Sequence, residues 1–192
     1  MAAGDNGRVF TCLFLVYLGL VYITLPFLPP VVDRVKAVFG PGSLLYFTGA
    51  STAMVTGATL FYLFRQVSPG EFRRKFLPLY LAAGLIFLLL WNNPVEQVHI
   101  LEYGILGYLG YRASGYREGS DSRGSLYIWL AVILAAGLVD EIIQHFLPNR
   151  VFDPRDVAVN ALCGSLGAII GYRLDSIRNV SSPGEKLTKT SI

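Results

Sequence analysis

The sequence predicts an all-α protein, a polytopic transmembrane bundle of about six helices with both termini cytoplasmic. Of its 192 residues, 53% are hydrophobic and only 15% are charged, whereas soluble domains carry about 25% charged residues. The charges concentrate in short polar intervals, and the apolar runs between them approach the roughly 20 residues that cross a bilayer. A soluble fold of this size would need one core, so this pattern predicts a membrane protein.

Each predicted helix is an apolar run bounded by a polar or proline-rich break. The first begins after Arg8 and lacks the small-residue cleavage site of a secretory signal, so we interpret it as a retained helix. The second carries small residues from Gly49 to Ala58, which predict a helix-packing face. The third is short but free of charge, the fourth follows a break at Pro94, and the last two flank a polar loop. The six segments are residues 9–28, 44–64, 76–91, 95–111, 126–146 and 154–174.

The sixteen Lys and Arg residues predict the orientation of the bundle. If six helices alternate across the membrane, twelve of these residues fall on the side that holds both termini. The other side has Arg34, Lys36, Arg150 and Arg155. Basic loops stay in the cytoplasm, so both termini are predicted to be cytoplasmic. We expect one transmembrane domain over residues 1–175 and a polar, disordered tail over 176–192.

The fourth segment carries a polar stripe at its start. At about 100° per residue, Glu96, His99 and Tyr103 fall within an arc of roughly 60°, with Glu102 on the flank. Two glycines, Gly107 and Gly110, continue the stripe. Ionisable groups in a membrane helix are costly and normally face the protein interior or a wet cavity. The stripe therefore indicates a functional or buried network, with a solvated helix entrance as the alternative.

The fifth and sixth segments add two further polar faces. Asp140 and Gln144 share one face of the fifth, and Glu141 lies about 100° away. Asp153 before Pro154 predicts a helix cap, with Asp156 as the third-position partner of a capping box. The polar and glycine residues of the sixth segment lie within about 80°, which predicts close packing with a buried polar contact. That face consists of Asp156, Asn160, Gly164, Gly167 and Gly171.

The predicted topology brings these faces to one extracytoplasmic level, because the 92–94 break and the 146–156 loop fall on the same side. We assign two sets of candidate residues there. The candidate catalytic residues are Glu96, His99, Asp140 and Glu141. The candidate substrate-binding residues are Tyr103, Gln144, Arg150, Asp156 and Asn160.

Two sequence blocks resemble the VanZ-like family over residues 90–172. They are Pro94-x-Glu96-x-x-His99-x-x-x-Tyr103 and the longer Asp140-Glu141-x-x-Gln144-x-Phe146-x-Pro148-x-Arg150…Asp156-x-x-x-Asn160-x-x-x-Gly164. Gln97 stands where the family often has a lysine. The resemblance implies a bacterial plasma-membrane protein of the cell envelope, with a link to resistance against the glycopeptide teicoplanin. It does not imply a catalytic mechanism.

Three hypotheses follow for the cluster. An envelope enzyme would use His99 as general acid or base, oriented by Glu96 or Glu141, and would hold a phosphate or carboxylate with Arg150. A non-catalytic module would bind or transport an anionic headgroup with the same residues. A purely structural network would fix the packing of the helices.

The expected partners are membrane lipids, together with a lipid-linked or anionic headgroup ligand. The basic residues have no aromatic interleaving, so no nucleic-acid partner is predicted. The Glu96-x-x-His99 pair resembles half of a carboxylate-bridged metal site, but such sites use the motif twice. A metal site stays open as a fourth hypothesis for the cluster, but no metal ligand and no cofactor are assigned.

Overall fold

The computed structural model describes residues 3–90, 94–114, 122–148 and 150–180. Across these ranges the chain forms eight α-helices and no β-strand. In chain order they are α1 (Ala3–Thr24), α2 (Leu28–Phe39), α3 (Ser43–Gln66), α4 (Pro69–Lys75), α5 (Leu77–Leu89), α6 (Pro94–Ala113), α7 (Ser122–His145) and α8 (Pro154–Val180).

The prediction of six helices is wrong in number, although each of the six apolar segments coincides with a helix. The two additional helices, α2 and α4, lie where loops were expected. Proline in the first turn starts both, and the Ser68 side chain caps α4 by accepting from the Glu71 N–H. These local signals favour helix without long apolar runs.

Four helices, α1, α3, α7 and α8, are long and apolar enough to cross a membrane. The shorter α5 is apolar throughout. The last helix continues to Val180, so residues 176–180 are helical where a disordered tail was expected. The remainder of that predicted tail, 181–192, lies outside the described residues.

The centre of the bundle is α6, which packs against α8, α1 and α7. Glycines bring α6 and α8 together: a Cβ on Gly107 would lie 1.9 Å from the Gly164 carbonyl oxygen. A Cβ on Gly167 would lie 1.9 Å from the Gly104 carbonyl oxygen. Only glycine permits this backbone approach, which confirms the close packing predicted for the glycine face of α8.

The small-residue face of α3 does not form the predicted helix interface. A Cβ added at Gly49 or Gly57 would meet no atom within 4 Å. Both glycines line a cavity of about 670 Å³ between α3, α5, α6 and α8. The small side chains thus leave open space instead of admitting a neighbouring helix.

An ion pair joins α6 to α8 at the end of the bundle where both helices finish. Arg112 binds the Asp175 carboxylate, and the Arg112 guanidinium also lies 4.9 Å from the centre of the Phe10 ring on α1. These contacts tie three helices together at the end opposite the start of α6.

Candidate functional site

The candidate site lies at the end of the bundle where α6 and α8 begin and α7 finishes. Because α7 runs antiparallel to its two neighbours, its last turns meet the first turns of α6 and α8. Asp140 on α7 is completely buried at this level, with 0% of its surface exposed. An acid enclosed in a membrane bundle needs polar partners, and both neighbouring helices supply them.

Asp140 is the centre of a three-helix hydrogen-bond network. Its Oδ2 accepts from the Tyr103 hydroxyl on α6 at 2.8 Å and from the Asn160 Nδ2 on α8 at 3.3 Å. Gly137, one turn earlier on α7, makes room for Asn160, since a Cβ there would lie 3.0 Å from the Asn160 Cβ. Tyr103, Asp140 and Asn160 therefore form a fixed unit, as their three predicted faces suggested.

Glu141 holds the loop that leads into α8. Its Oε2 accepts from the Asp153 backbone N–H at 3.0 Å, while the Asp153 Oδ1 accepts from the Arg155 N–H at 2.8 Å. The predicted helix cap is thus present at Asp153. The prediction that Asp156 completes a capping box is wrong, because the Asp153 backbone N–H donates to Glu141 and not to Asp156. Asp156 is left with a buried Oδ1 that has no partner among the described residues.

The charged groups that lie nearest His99 and Glu96 differ from those expected. The His99 Nδ1 lies 3.7 Å from the Glu102 Oε2, and Glu96 Oε2 lies 3.4 Å from Arg155 Nη2. Glu102, rather than Glu96 or Glu141, is thus the carboxylate beside His99, but at this distance it makes no hydrogen bond, and the His99 Nδ1 has no hydrogen-bond partner among the described residues. The charges of Asp140, Asp156 and Arg150 also act on His99. His99 therefore belongs to the same cluster.

Two predicted residues lie in the cluster without a direct bond to its centre. Gln144 is 4% exposed and follows Asp140 by one turn of α7. Arg150 is partly buried in the α7–α8 loop, and no ion pair within the described part of the chain includes it. In the described ranges, its guanidinium has no direct carboxylate contact.

Sequence reasoning missed a polar bridge beside the cluster. The Thr48 hydroxyl on α3 donates to the Gln97 Oε1 on α6 at 2.8 Å, and both side chains are buried. The Gln97 Nε2 has no partner in the portions of the chain that are described. Thr48 directly precedes the small-residue run that begins at Gly49, and a threonine there gives no signal that separates this role from packing. In the sequence, Arg155 was counted only among the basic loop residues that set the topology. Its ion pair with Glu96 was not predicted.

The chemistry open to this arrangement is recognition of a ligand with both anionic and hydroxyl or amine groups. Four buried oxygens without a partner among the described residues can accept hydrogen bonds, and the Arg150 guanidinium, whose charge acts on His99 and Asp156, can donate them. These oxygens belong to Asp140, Glu141, Asp156 and Asn160. Within the described ranges, no group of three or more His, Cys, Asp or Glu side chains is placed to hold a metal ion.

The long apolar helices and the buried polar network define the class of protein: a multi-pass α-helical membrane protein with a polar site at one end. The sequence family described as VanZ/LLP1 matches residues 12–175. The chain therefore belongs to the VanZ/LLP1 family, and the match extends well beyond the two blocks that suggested it. Comparison with curated proteins and with solved structures gave no match.

Proposed function

We propose that this VanZ-like protein binds the headgroup of an amphiphilic, lipid-linked envelope molecule at the outer leaflet of a bacterial plasma membrane. The placement outside rests on the distribution of Lys and Arg, which favours cytoplasmic termini. The observation that carries the proposal is the rigid Tyr103–Asp140–Asn160 unit. The unit leaves the Asp140 Oδ1 and the Asn160 Oδ1 buried and without a partner among the described residues.

The partner-free oxygens support a ligand rather than a purely structural network. A structural network normally satisfies its buried polar atoms, because an unpaired buried acceptor is costly. Here four carboxylate or amide oxygens of the cluster have no partner within the described residues. Hydroxyl or amine groups of a headgroup would satisfy them, and a phosphate or carboxylate would pair with Arg150 through its fork of donors.

Retention of lipid during purification tests the proposal. The wild type is expected to copurify with one class of amphiphile, identified by lipid extraction and mass spectrometry. Arg150→Gln should retain about tenfold less, the loss of roughly one charge-assisted contact. His145→Gln is the matched control, since His145 is exposed at the same end of α7. Retention of lipids in their bulk membrane proportions by all three proteins would contradict the proposal.

Catalysis is a second candidate, favoured by one observation. His99 is buried beside the Glu102 carboxylate and within the field of two further acids, an arrangement suited to a general acid or base. Protein reconstituted in vesicles with the retained amphiphile distinguishes the two functions. A product that appears with the wild type and not with His99→Gln indicates an enzyme. Saturable binding without product indicates a binding protein.

A further inference from the structure

A large, mostly apolar cavity of the described bundle begins beside the candidate site. It measures about 670 Å³, within the range of about 300–1,000 Å³ that is typical of ligand pockets. Its wall includes Gly49 and Gly57 of α3, Gly84 of α5 and Gly104 of α6. A Cβ added at any of these four glycines would meet no atom within 4 Å.

The cavity extends along α3 for a length that matches a hydrocarbon chain. Along α3 its wall extends from Gly49 to Tyr62, a rise of about 20 Å at 1.5 Å per residue. That is about two thirds of the roughly 30 Å hydrocarbon core of a bilayer. The Thr59 hydroxyl is engaged by its own helix, where it donates to the Val55 carbonyl at 2.6 Å. The wall also includes Thr52 and Thr56, and the buried Thr52 Oγ1 has no partner among the described residues. The rest of the wall is mostly glycine, aliphatic and aromatic residues.

The helices around the cavity leave one side without an extensive interface. In the described part of the chain, α3 packs against α2, α4 and α6, whereas α5 packs against α4, α6 and α8. No comparable interface joins α3 to α5. A gap between two membrane helices borders lipid, so a chain can enter from the bilayer without crossing water.

The cavity ends at the polar bridge of Thr48 and Gln97. Thr48 precedes the lining residue Thr52 by one turn of α3, and Gln97 precedes the lining residue Leu101 by one turn of α6. Their hydrogen bond at 2.8 Å therefore joins the two helices at the end of the space that lies nearest the candidate site. The Gln97 Nε2, buried and without a partner among the described residues, supplies a donor at that end.

We propose that this cavity binds one hydrocarbon chain of the amphiphile, with Gln97 donating to an ester, phosphate or ether oxygen where the chain joins its headgroup. The inference rests on the proposed function for the headgroup end and adds a chain site formed by α3, α5, α6 and α8. The substrate class is thereby narrowed to a lipid with a long linear chain in the membrane. A purely headgroup-binding site would not need this space.

Photochemical labelling tests the chain site directly. The wild type is reconstituted in phosphatidylethanolamine and phosphatidylglycerol vesicles that contain phosphatidylglycerol with a diazirine in the middle of one acyl chain. After illumination, the labelled peptides are mapped by mass spectrometry. We expect the cavity-facing positions of α3, α5 and α6 to be labelled about tenfold more than the exposed residue Met54 on the other face of α3. Equal labelling would show annular lipid only and would overturn the proposal.

Two variants fill the cavity from opposite sides. Gly57→Leu and Gly84→Leu each place a side chain in open space, so either one should reduce cavity labelling about tenfold. Gly19→Leu on α1 is the matched control, because it also adds a side chain in open space but lies outside the cavity. Unchanged labelling in a folded filling variant would overturn the chain site. The position-resolved labelling of the wild type decides the question even if both filling variants misfold.

The same experiment separates failure of this inference from failure of the proposed function. Cavity labelling that survives Arg150→Gln, with no loss of retained lipid in that variant, supports the chain site and contradicts the headgroup proposal. Loss of retained lipid in Arg150→Gln without preferential cavity labelling supports the headgroup proposal and overturns the chain site.

Discussion

At the scale of single residues, Asp140 organises the candidate site because three helices contribute to its surroundings. Its Oδ2 accepts from Tyr103 and Asn160, while its Oδ1 is buried without a partner among the described residues. One oxygen thus joins three helices. Under the proposed function, the other oxygen accepts a hydrogen bond from the ligand, so the same carboxylate would have a structural and a binding role.

Tyr103→Phe is predicted to destabilise the protein by about 1 kcal/mol, the usual size of a side-chain hydrogen bond between membrane helices. In this variant the Asp140 Oδ2 would accept a hydrogen bond only from Asn160. Tyr46→Phe is the control, since Tyr46 is 78% exposed. Unfolding in detergent titrations measures both. Equal stability of the two variants would show that the bond to Asp140 contributes nothing.

At the scale of elements, the α6–α8 pair positions the site by bringing the two backbones into contact. Asn160 reaches Asp140 because α8 approaches α6 and α7 closely along its glycine face. The candidate site and the glycine face are therefore two parts of one interface. Separating α8 from α6 would move Asn160 and Asp156 away from the acids of α7.

Gly107→Ala is predicted to destabilise the protein by about 3 kcal/mol, the upper range for overpacking a close interface. The added Cβ would lie 1.9 Å from the Gly164 carbonyl oxygen, so the two helices would have to separate. Gly57→Ala adds the same methyl group in open space and should be neutral or stabilising, since alanine favours helix over glycine. Equal thermal unfolding temperatures for the two variants would contradict the close contact between α6 and α8 at Gly107.

Another element, α2, has the pattern of a helix that lies along the membrane surface. Its six large apolar residues fall within an arc of about 120° at 100° per residue, and none of its side chains is buried in the protein. They are Leu28, Val31, Val32, Val35, Val38 and Phe39. The opposite face carries Asp33, Arg34 and Lys36. A short amphipathic helix of this kind places its apolar face among the acyl chains and its charges among the headgroups.

At the scale of the whole molecule, the distribution of basic residues predicts which end faces outward. In a variant without Cys12 and Cys163, Arg34→Cys should react with a membrane-impermeant maleimide in intact cells. Arg73→Cys, on the predicted cytoplasmic side, should react only after permeabilisation. Both positions are exposed in the fold, so access depends on the membrane side. The reverse pattern would place the candidate site in the cytoplasmic leaflet.

The sequence predicts the main helices well because apolar length and polar breaks are dictated by the bilayer. It also predicts that the three polar faces meet, since topology places them at one level and helical periodicity gives their directions. It does not predict α2 and α4, whose signals are a proline and a cap rather than an apolar run.

The sequence also does not predict which side chains of the site pair with one another. Helical angles place Glu96 and Glu102 at similar distances from His99, but side-chain packing decides that Glu102 approaches it while Glu96 binds Arg155. Likewise, the tertiary contact from Glu141 replaces the reciprocal half of the predicted capping box at Asp153. Such choices depend on the rotation of each helix against its neighbours, which periodicity alone does not determine.

The central claim is that the Asp140 cluster binds the headgroup of an amphiphile, and Asp140→Asn tests it most directly. The amide keeps an oxygen for Tyr103 and Asn160 but removes the carboxylate that would meet a hydroxyl or amine group of the ligand. The measurement is the amount of amphiphile retained per purified protein. The account predicts a loss of about tenfold relative to the wild type with little change in unfolding temperature. Full retention in a folded Asp140→Asn protein would contradict it.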